Sequence, residues 1–468
     1  MRRLRSARDR GPPLLSRTGE PYDARHSPAG DRRGGGPPRC SRACRSPARS
    51  RRQTRRSRSR AHRTSPVASV QRPVVMALVW FFCLGALGTW FPFYTLYLKE
   101  NAGLTGTQVG LVMATLPLVG ILGQPFWGQV ADRTGSRTRM LTLLALCAAA
   151  GYAALGLPES FSGFLVATAF LALFSTAVIP SCVAVTLALS REGGARAFGH
   201  SRVWGTVGFL VSVVAFPELL DTWQSRPDFE ALRGKSLAAP GLGIMFPVTA
   251  VVMALGGLMA LALPRAGAVS LRAAPGDWRE LVRHRPYRRV LLFTLLGYLC
   301  LQGPQVFFPV FVRSLGGEID TVSRMWIPML VLEIPLIAYS GATLDRIGAR
   351  GLLAMGVLAG GLRWAICGFA PDLSWVWPVQ LLHGVVVTGL VIGGPLYVEQ
   401  VVPERLRSTG QGLLAMVGFG IGGMASNAGS GWLVDQVAAW APYAVGGVGA
   451  IALGLAVPLL LPAPRRPQ

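Results

Sequence analysis

The sequence predicts an all-α membrane protein, twelve transmembrane helices arranged in two pseudo-symmetric halves of six, and three observations predict it. Composition is the first: 51% of the 468 residues are hydrophobic and only 15% charged, with a mean hydropathy of +0.41. A water-soluble fold of that length does not tolerate such a balance. The second is pattern, because from Val74 onward apolar stretches alternate with short polar loops, each stretch of about 18–25 residues long enough to cross a bilayer core of roughly 30 Å. The third is a repeat. Residues 128–137 and 341–350 share the order G-x-x-x-D-R-x-G-x-R, 213 positions apart, and each copy lies between two apolar segments. An internal repeat fixes architecture before any single element is assigned.

The net charge of +25 does not signal nucleic acid. Residues 1–72 hold 21 of the 47 basic residues and four of the 22 acidic ones, which leaves a net of +8 for the remainder. This Arg-, Ser-, Pro- and Gly-rich arm cannot bury apolar surface and is expected to be disordered. It has neither the apolar core of a secretory signal nor the character of an amphipathic transit peptide. Readthrough from upstream of a true start near Val74 to Met76 is one reading, and a basic arm on anionic lipid is another. Nucleic-acid binding is disfavoured, since only Tyr22 stands among the arginines to stack on bases. Seven cysteines, at 40, 44, 83, 147, 182, 300 and 367, form no C-x-x-C or Cys/His cluster, so neither zinc nor a disulfide framework is expected, and no cofactor is.

In order, the spans run over 74–98, 107–129, 139–157, 162–189, 201–219, 241–263, 289–312, 322–344, 351–369, 374–398, 409–433 and 440–461. The longest interior break, 264–288, divides them six and six, giving an amino-terminal half 73–263, a central loop 264–288 and a carboxy-terminal half 289–468. With the amino terminus in the cytoplasm, inner loops and tail carry about 19 arginines against about six basic residues outside. The positive-inside rule therefore expects both termini in the cytoplasm and the cytoplasmic membrane as the location.

Both copies of the repeated turn then fall in cytoplasmic loops, after spans two and eight. An aspartate closing one span and arginines just beyond it can make charge-assisted bonds to each other, to a neighbouring helix end or to the other half. The glycines let helices pack closely and the chain reverse. This motif resembles the hallmark of the major facilitator superfamily of transporters, and the resemblance covers residues 74–461. It implies a conformational latch built from Gly128, Asp132, Arg133, Gly135 and Arg137 and from Gly341, Asp345, Arg346, Gly348 and Arg350.

Glu333, Arg363 and His383 lie well inside spans eight, nine and ten, near the midplane. An ionisable group there marks a functional site, because its cost must be met by a partner or a wet cavity. An Arg–Glu pair can form, and a histidine can carry a proton; an ion pair that only fixes helix register is the alternative. The stretches around Arg363 and His383, with their spacing of twenty, resemble the proton-symporter branch that includes lactose permease and the 3-phenylpropionate permeases. The glutamate that branch carries one turn after the histidine is missing here, replaced by Val386 and Val387. Glu333 fits the phenylpropionate type better than the lactose type.

In span five, residues 198–209 resemble the same permeases, with Arg202 at the sugar-contacting arginine and Phe209 at the aromatic on which the sugar stacks. Ala184 stands where their span-four acid would be, and an arginine without that carboxylate suits an anion better than a neutral sugar. Position 202 at the start of its span equally fits an inner-loop charge at the membrane surface. Tyr94, Gln302, Gln305 and Asn427 are further substrate-binding candidates, and prolines at 92, 117, 125, 304, 309 and 335 mark kinks that cavities use. The expected function is alternating-access transport of a small organic solute, proton-coupled, by a functional monomer whose partners are substrate, protons and lipid. Efflux, or a receptor or scaffold that no longer transports, are the alternatives. An enzyme is not expected, because no paired carboxylates, nucleophile–base set or metal cluster appears.

Overall fold

A computed structural model describes residues 66–189, 194–226, 241–264, 276–338 and 340–462; the side chains of 66–72, 194–198, 277 and 337–345 are outside that description. Residues 1–65 of the amino-terminal arm, and the side-chain surroundings of Gly341 and Asp345, thus lie outside the description. Each predicted span falls on a helix. In chain order these are α1 (Pro66–Leu96), α2 (Gly106–Thr134), α3 (Arg137–Ala154), α4 (Phe161–Leu189), α5 (Gly194–Gln224) and α6 (Met245–Leu261). After the short helix Asp277–Arg283 come α7 (Arg285–Ser314), α8 (Ile319–Ala338), α9 (Ser340–Phe369), α10 (Leu373–Val401), α11 (Glu404–Gln436) and α12 (Ala441–Leu455). Among the described residues nine of these helices are long and apolar enough to cross a membrane on their own, while α3, α8 and α12 are shorter or more polar.

The packing repeats as the sequence does. In the first six helices the main partners are α1 with α5 and α6, α3 with α4 and α6, and α2 with α4. In the second six they are α7 with α11 and α12, α9 with α10 and α12, and α8 with α10. The α1–α5 and α7–α11 pairs touch backbone to backbone. A Cβ on Gly208 would stand 2.1 Å from the Phe81 carbonyl oxygen, and one on Gly303 would stand 2.1 Å from Ser430 Oγ. Small residues at such crossings replace the hydrophobic effect, which does not act between helices in lipid.

In both copies the repeated turn bends at a glycine with positive φ, although ψ differs, 12° at Gly135 and 170° at Gly348. Gly135 ends α2 at φ +64°, and Gly348 breaks the run of α9 at φ +69°. The chain therefore turns at Gly348, and the helix that follows α8 reaches further than the predicted boundary at 344. Gly128 departs from expectation, because a Cβ there would meet nothing within 4 Å. It is not a close-packing glycine in this conformation.

Between the two sets of six, α2 meets α11, α5 meets α8 and α1 meets α7. One end of the bundle is tied across this seam. Asp435 of α11 accepts from the Gly106 and Thr107 amides at the start of α2, both at 2.6 Å, and stands 3.6 Å from Lys99 Nζ. A carboxylate is favoured there because a helix amino terminus presents unpaired N–H groups and the positive end of its dipole. Arg313 pairs with Glu100 at 3.0 Å, and Thr95 Oγ1 donates to the Val306 carbonyl at 3.1 Å. At the opposite end the bonds Asp132–Arg137, Thr138–Pro264, Tyr287–Gly410 and Glu280–Arg405 each join elements of one set.

Candidate functional site

The site is organised by a tightened turn in α10. Pro378 lacks an amide donor, so the regular ladder is interrupted near it, and after Val379 the residues Gln380–Leu382 form a 3₁₀ turn. In that geometry residues three apart eclipse, so Gln380 and His383 project together toward Arg363 on α9. Gly384 brings α10 against α8: a Cβ on it would lie 2.9 Å from Glu333 Cα. His383 is thereby set beside Glu333.

Arg363 is 1% exposed and fully bonded. Nε and Nη2 donate to Gln380 Oε1 at 3.0 and 2.6 Å, and Nη1 donates to Gln305 Oε1 at 2.9 Å and to His383 Nδ1 at 3.1 Å. The remaining Nη2 hydrogen meets Met329 Sδ at 3.4 Å, and the guanidinium lies 4.0 Å from the centre of the Trp364 ring. Five N–H groups are met by four acceptor atoms, Gln380 Oε1 taking two of them, and none of these is a carboxylate. The expected Arg–Glu pair is therefore not what holds Arg363. Gln380, itself fully buried and tied to the Val376 carbonyl at 2.8 Å, does more of that work than any other residue. The sequence reading missed it, because a neutral amide inside an apolar run gives no charge signal.

Glu333 is 6% exposed, with Oε2 at 3.7 Å from His383 Nε2. Across the seam, α5 packs on α8 and carries Arg202. Arg202 is half-buried near the start of the apolar span Gly199–Gln224; Nη1 donates to Thr206 at 3.2 Å and its guanidinium lies 5.2 Å from the Trp80 ring. The row Arg202, Glu333, His383, Arg363 thus crosses from one set of six helices to the other. Trp326 of α8 braces the crossing. Its ring packs on Phe209 at 5.1 Å and Phe91 at 5.9 Å from the first set, and edge-on against His383 at 6.2 Å. Its buried Nε1 has no hydrogen-bond partner among the described residues. A cavity of about 120 Å³ beside Arg363 is lined by Gln302, Gln305, His383, Val386, Val387 and their neighbours.

Two candidates stand elsewhere. Tyr94 is fully buried, its hydroxyl 2.8 Å from Thr168 Oγ1 and its ring stacked on Trp90, so it packs the first set of helices instead of facing the cavity. Asn427 donates to the Met113 carbonyl at 3.2 Å and joins α11 to α2. Of the turn residues, Asp132 and Arg137 pair at 2.9 Å, whereas Arg133 and Arg346 point to solvent and Arg350 is half-buried. Ala184 lines a separate crevice between α2 and α4 with Gln124, Gly128, Asp132 and Arg137.

Residues 74–444 match the MFS_1 like family. The chain belongs to that family, and so to the major facilitator transporters, which are not enzymes. It is 28% identical over 366 residues to a maltose permease of Geobacillus stearothermophilus, covering 78% of this chain and 88% of the permease. It is 26% identical over 323 residues to a probable 3-phenylpropionic acid transporter of Escherichia coli K12, covering 66% and 77%. The crystal structure of the nucleoside transporter NupG superposes with a TM-score of 0.70 at 16% identity, over 83% of this chain and 98% of that one. As a major facilitator protein, the chain is a multi-pass secondary transporter of a small molecule.

Proposed function

We propose that this protein is a proton-coupled symporter of a small organic solute, with the halves 73–263 and 289–468 rocking about the central cavity and the loop 264–288 on the cytoplasmic side. One observation carries the reading: a buried acid, Glu333, stands beside a histidine of its own half, on the helix that packs against the arginine-bearing helix of the other half. In that position its protonation is felt by both halves and by anything bound between them, which is the linkage that symport requires. With both termini in the cytoplasm, the tied end faces outward and the conformation is closed to the outside. Glu333, Arg363 and His383 form the coupling set. Arg202, Phe209, Gln302 and Gln305 contact the solute. Asp132 with Arg137, and Arg133, Asp345, Arg346 and Arg350 in their loops, latch the cytoplasmic side when the cavity opens outward.

Arg202 and Arg363 outnumber Glu333, so the site carries excess positive charge and favours an anionic solute. Similarity to a maltose permease supports a neutral sugar as the second reading. The test is uptake into proteoliposomes of 3-phenylpropionate, maltose and xanthosine under an imposed proton gradient, with external pH recorded. Accumulation with alkalinisation outside is expected for at least one of them. Glu333→Gln is expected to abolish uphill accumulation while sparing counterflow. Solute movement without proton movement would overturn coupling, and net outward pumping would make the protein an efflux transporter.

A further inference from the structure

We propose that Glu333 alone carries the proton and that His383 is a positioning residue that remains uncharged throughout. This deepens the proton-coupled reading above and depends on it. The argument starts from a donor count. An arginine has five N–H groups and no acceptor, so the contact between Arg363 Nη1 and His383 Nδ1 at 3.1 Å requires a bare lone pair on Nδ1. The ring's one proton is then on Nε2, the nitrogen 3.7 Å from Glu333 Oε2. Charging His383 would place an N–H against an N–H of a permanent cation, and would break one of the five bonds that satisfy Arg363.

Arg363 cannot move aside. Gln380 and Gln305 hold it from two other helices and Trp364 lies flat beneath it. Because these partners are neutral, Arg363 does not need the Glu333 carboxylate, and the acid is left free to gain and lose a proton. Facing Glu333 are His383 of α10 and, across the seam, Arg202 of α5. Arg363 lies on the Nδ1 side of the imidazole, with Cys367 and Tyr443 near it, and Cys182 is near Arg202. Thiols and phenols keep their protons up to about pH 8.5 and 10 respectively, so neither competes with a carboxyl in the physiological range. In the proton step, a proton bonds to a Glu333 carboxylate oxygen, the charge facing Arg202 is cancelled, and the imidazole keeps its own Nε2–H. Val386 and Val387, one turn beyond His383, place no other carboxylate there.

Two measurements read this without any solute. In protein labelled with ¹⁵N-histidine, His383, assigned by the signal lost in His383→Asn, is expected to show one bare and one protonated nitrogen from about pH 5 to pH 8, the window in which an unconstrained histidine titrates. A ring that acquires its second proton in that window overturns the proposal. In infrared pH-difference spectra, a protonated-carboxyl band is expected in the wild type and absent from Glu333→Gln; its persistence overturns the proposal too. Transport adds a third readout with 3-phenylpropionate, maltose and xanthosine as probes. His383→Asn keeps an acceptor opposite Arg363 and is expected to slow uptake about 10-fold, as displaced positioning groups do, with the midpoint of the pH profile unmoved. A profile flattened by His383→Asn would make the histidine the carrier. If the wild type moves none of the three solutes, the transport reading fails by itself while the spectra still decide the protonation question.

Discussion

The two six-helix halves share one packing scheme and differ in what they bury. In the first half the interior is aromatic and quiet: Trp90, Tyr94, Tyr152 and Phe246 stack on one another, and the hydroxyl of Tyr94 is met by Thr168. Its charge toward the cavity is Arg202. In the second half α7 to α10 enclose Glu333, Arg363 and His383 together with two glutamines. Duplication therefore preserved the framework, including the positive-φ glycines at 135 and 348, while the buried polar groups are concentrated on one side. Under the coupling proposed above, the first half presents one fixed charge and the second half the group whose charge changes.

The largest effect should come from the second half's neutral cradle. Gln380→Leu leaves a buried guanidinium without its two best bonds, and such an uncompensated charge costs about 3–5 kcal/mol. Tyr94→Phe, which removes a neutral bond in the first half, should cost only about 1 kcal/mol. Thermal unfolding of the two variants in detergent measures the difference, and equal losses would erase the contrast between halves. Next is Arg202→Gln, the loss of the first half's charge, expected to weaken binding of 3-phenylpropionate about 10-fold or more while affecting maltose less. Equal weakening of both solutes would mean that Arg202 reads shape and not charge.

At the tied end, Asp435→Asn loses a charge-assisted cap on α2, worth about 1–2 kcal/mol. Labelling of a cysteine introduced at Gly103 should speed up accordingly, and Asp132→Asn at the other end should not have that effect. The smallest effects are expected at the turns. Gly135→Ala and Gly348→Ala each force an L-residue to positive φ with open space around the new methyl; Gly135, at ψ 12°, should cost about 1 kcal/mol of backbone strain, and Gly348, at ψ 170° in a region open to glycine alone, should cost more, about 1–3 kcal/mol. Equal costs in thermal unfolding would show that the difference in ψ carries no strain.

The fold was legible because membrane spans and a duplicated turn are long-range signals, carried by many residues at once. The titratable members of the site were legible for a related reason: Glu333, Arg363 and His383 are costly in an apolar run and so stand out from it. Gln380 and Trp326 did not stand out, since an amide or an indole is common in such segments and only the 3₁₀ turn after Pro378 and the seam with Phe91 and Phe209 give them their importance. Arg202 was ambiguous for want of a boundary, because α5 begins earlier than its apolar run and carries the arginine inward. Asp435, Glu100 and Arg313 read as ordinary loop charges, and no local pattern says that they will find partners 213 to 329 residues away in the chain. The same applies to Tyr94 and Asn427, whose polarity is used by neighbouring helices and not by the cavity.

Trp326 has a further consequence. Its indole is touched by rings from both halves and by the imidazole beside Glu333, so no rocking of one half on the other leaves its surroundings intact. Light absorbed there will be re-emitted at a wavelength set by whether aromatic carbon or water lies against it, and the molecule thereby carries its own optical gauge of opening.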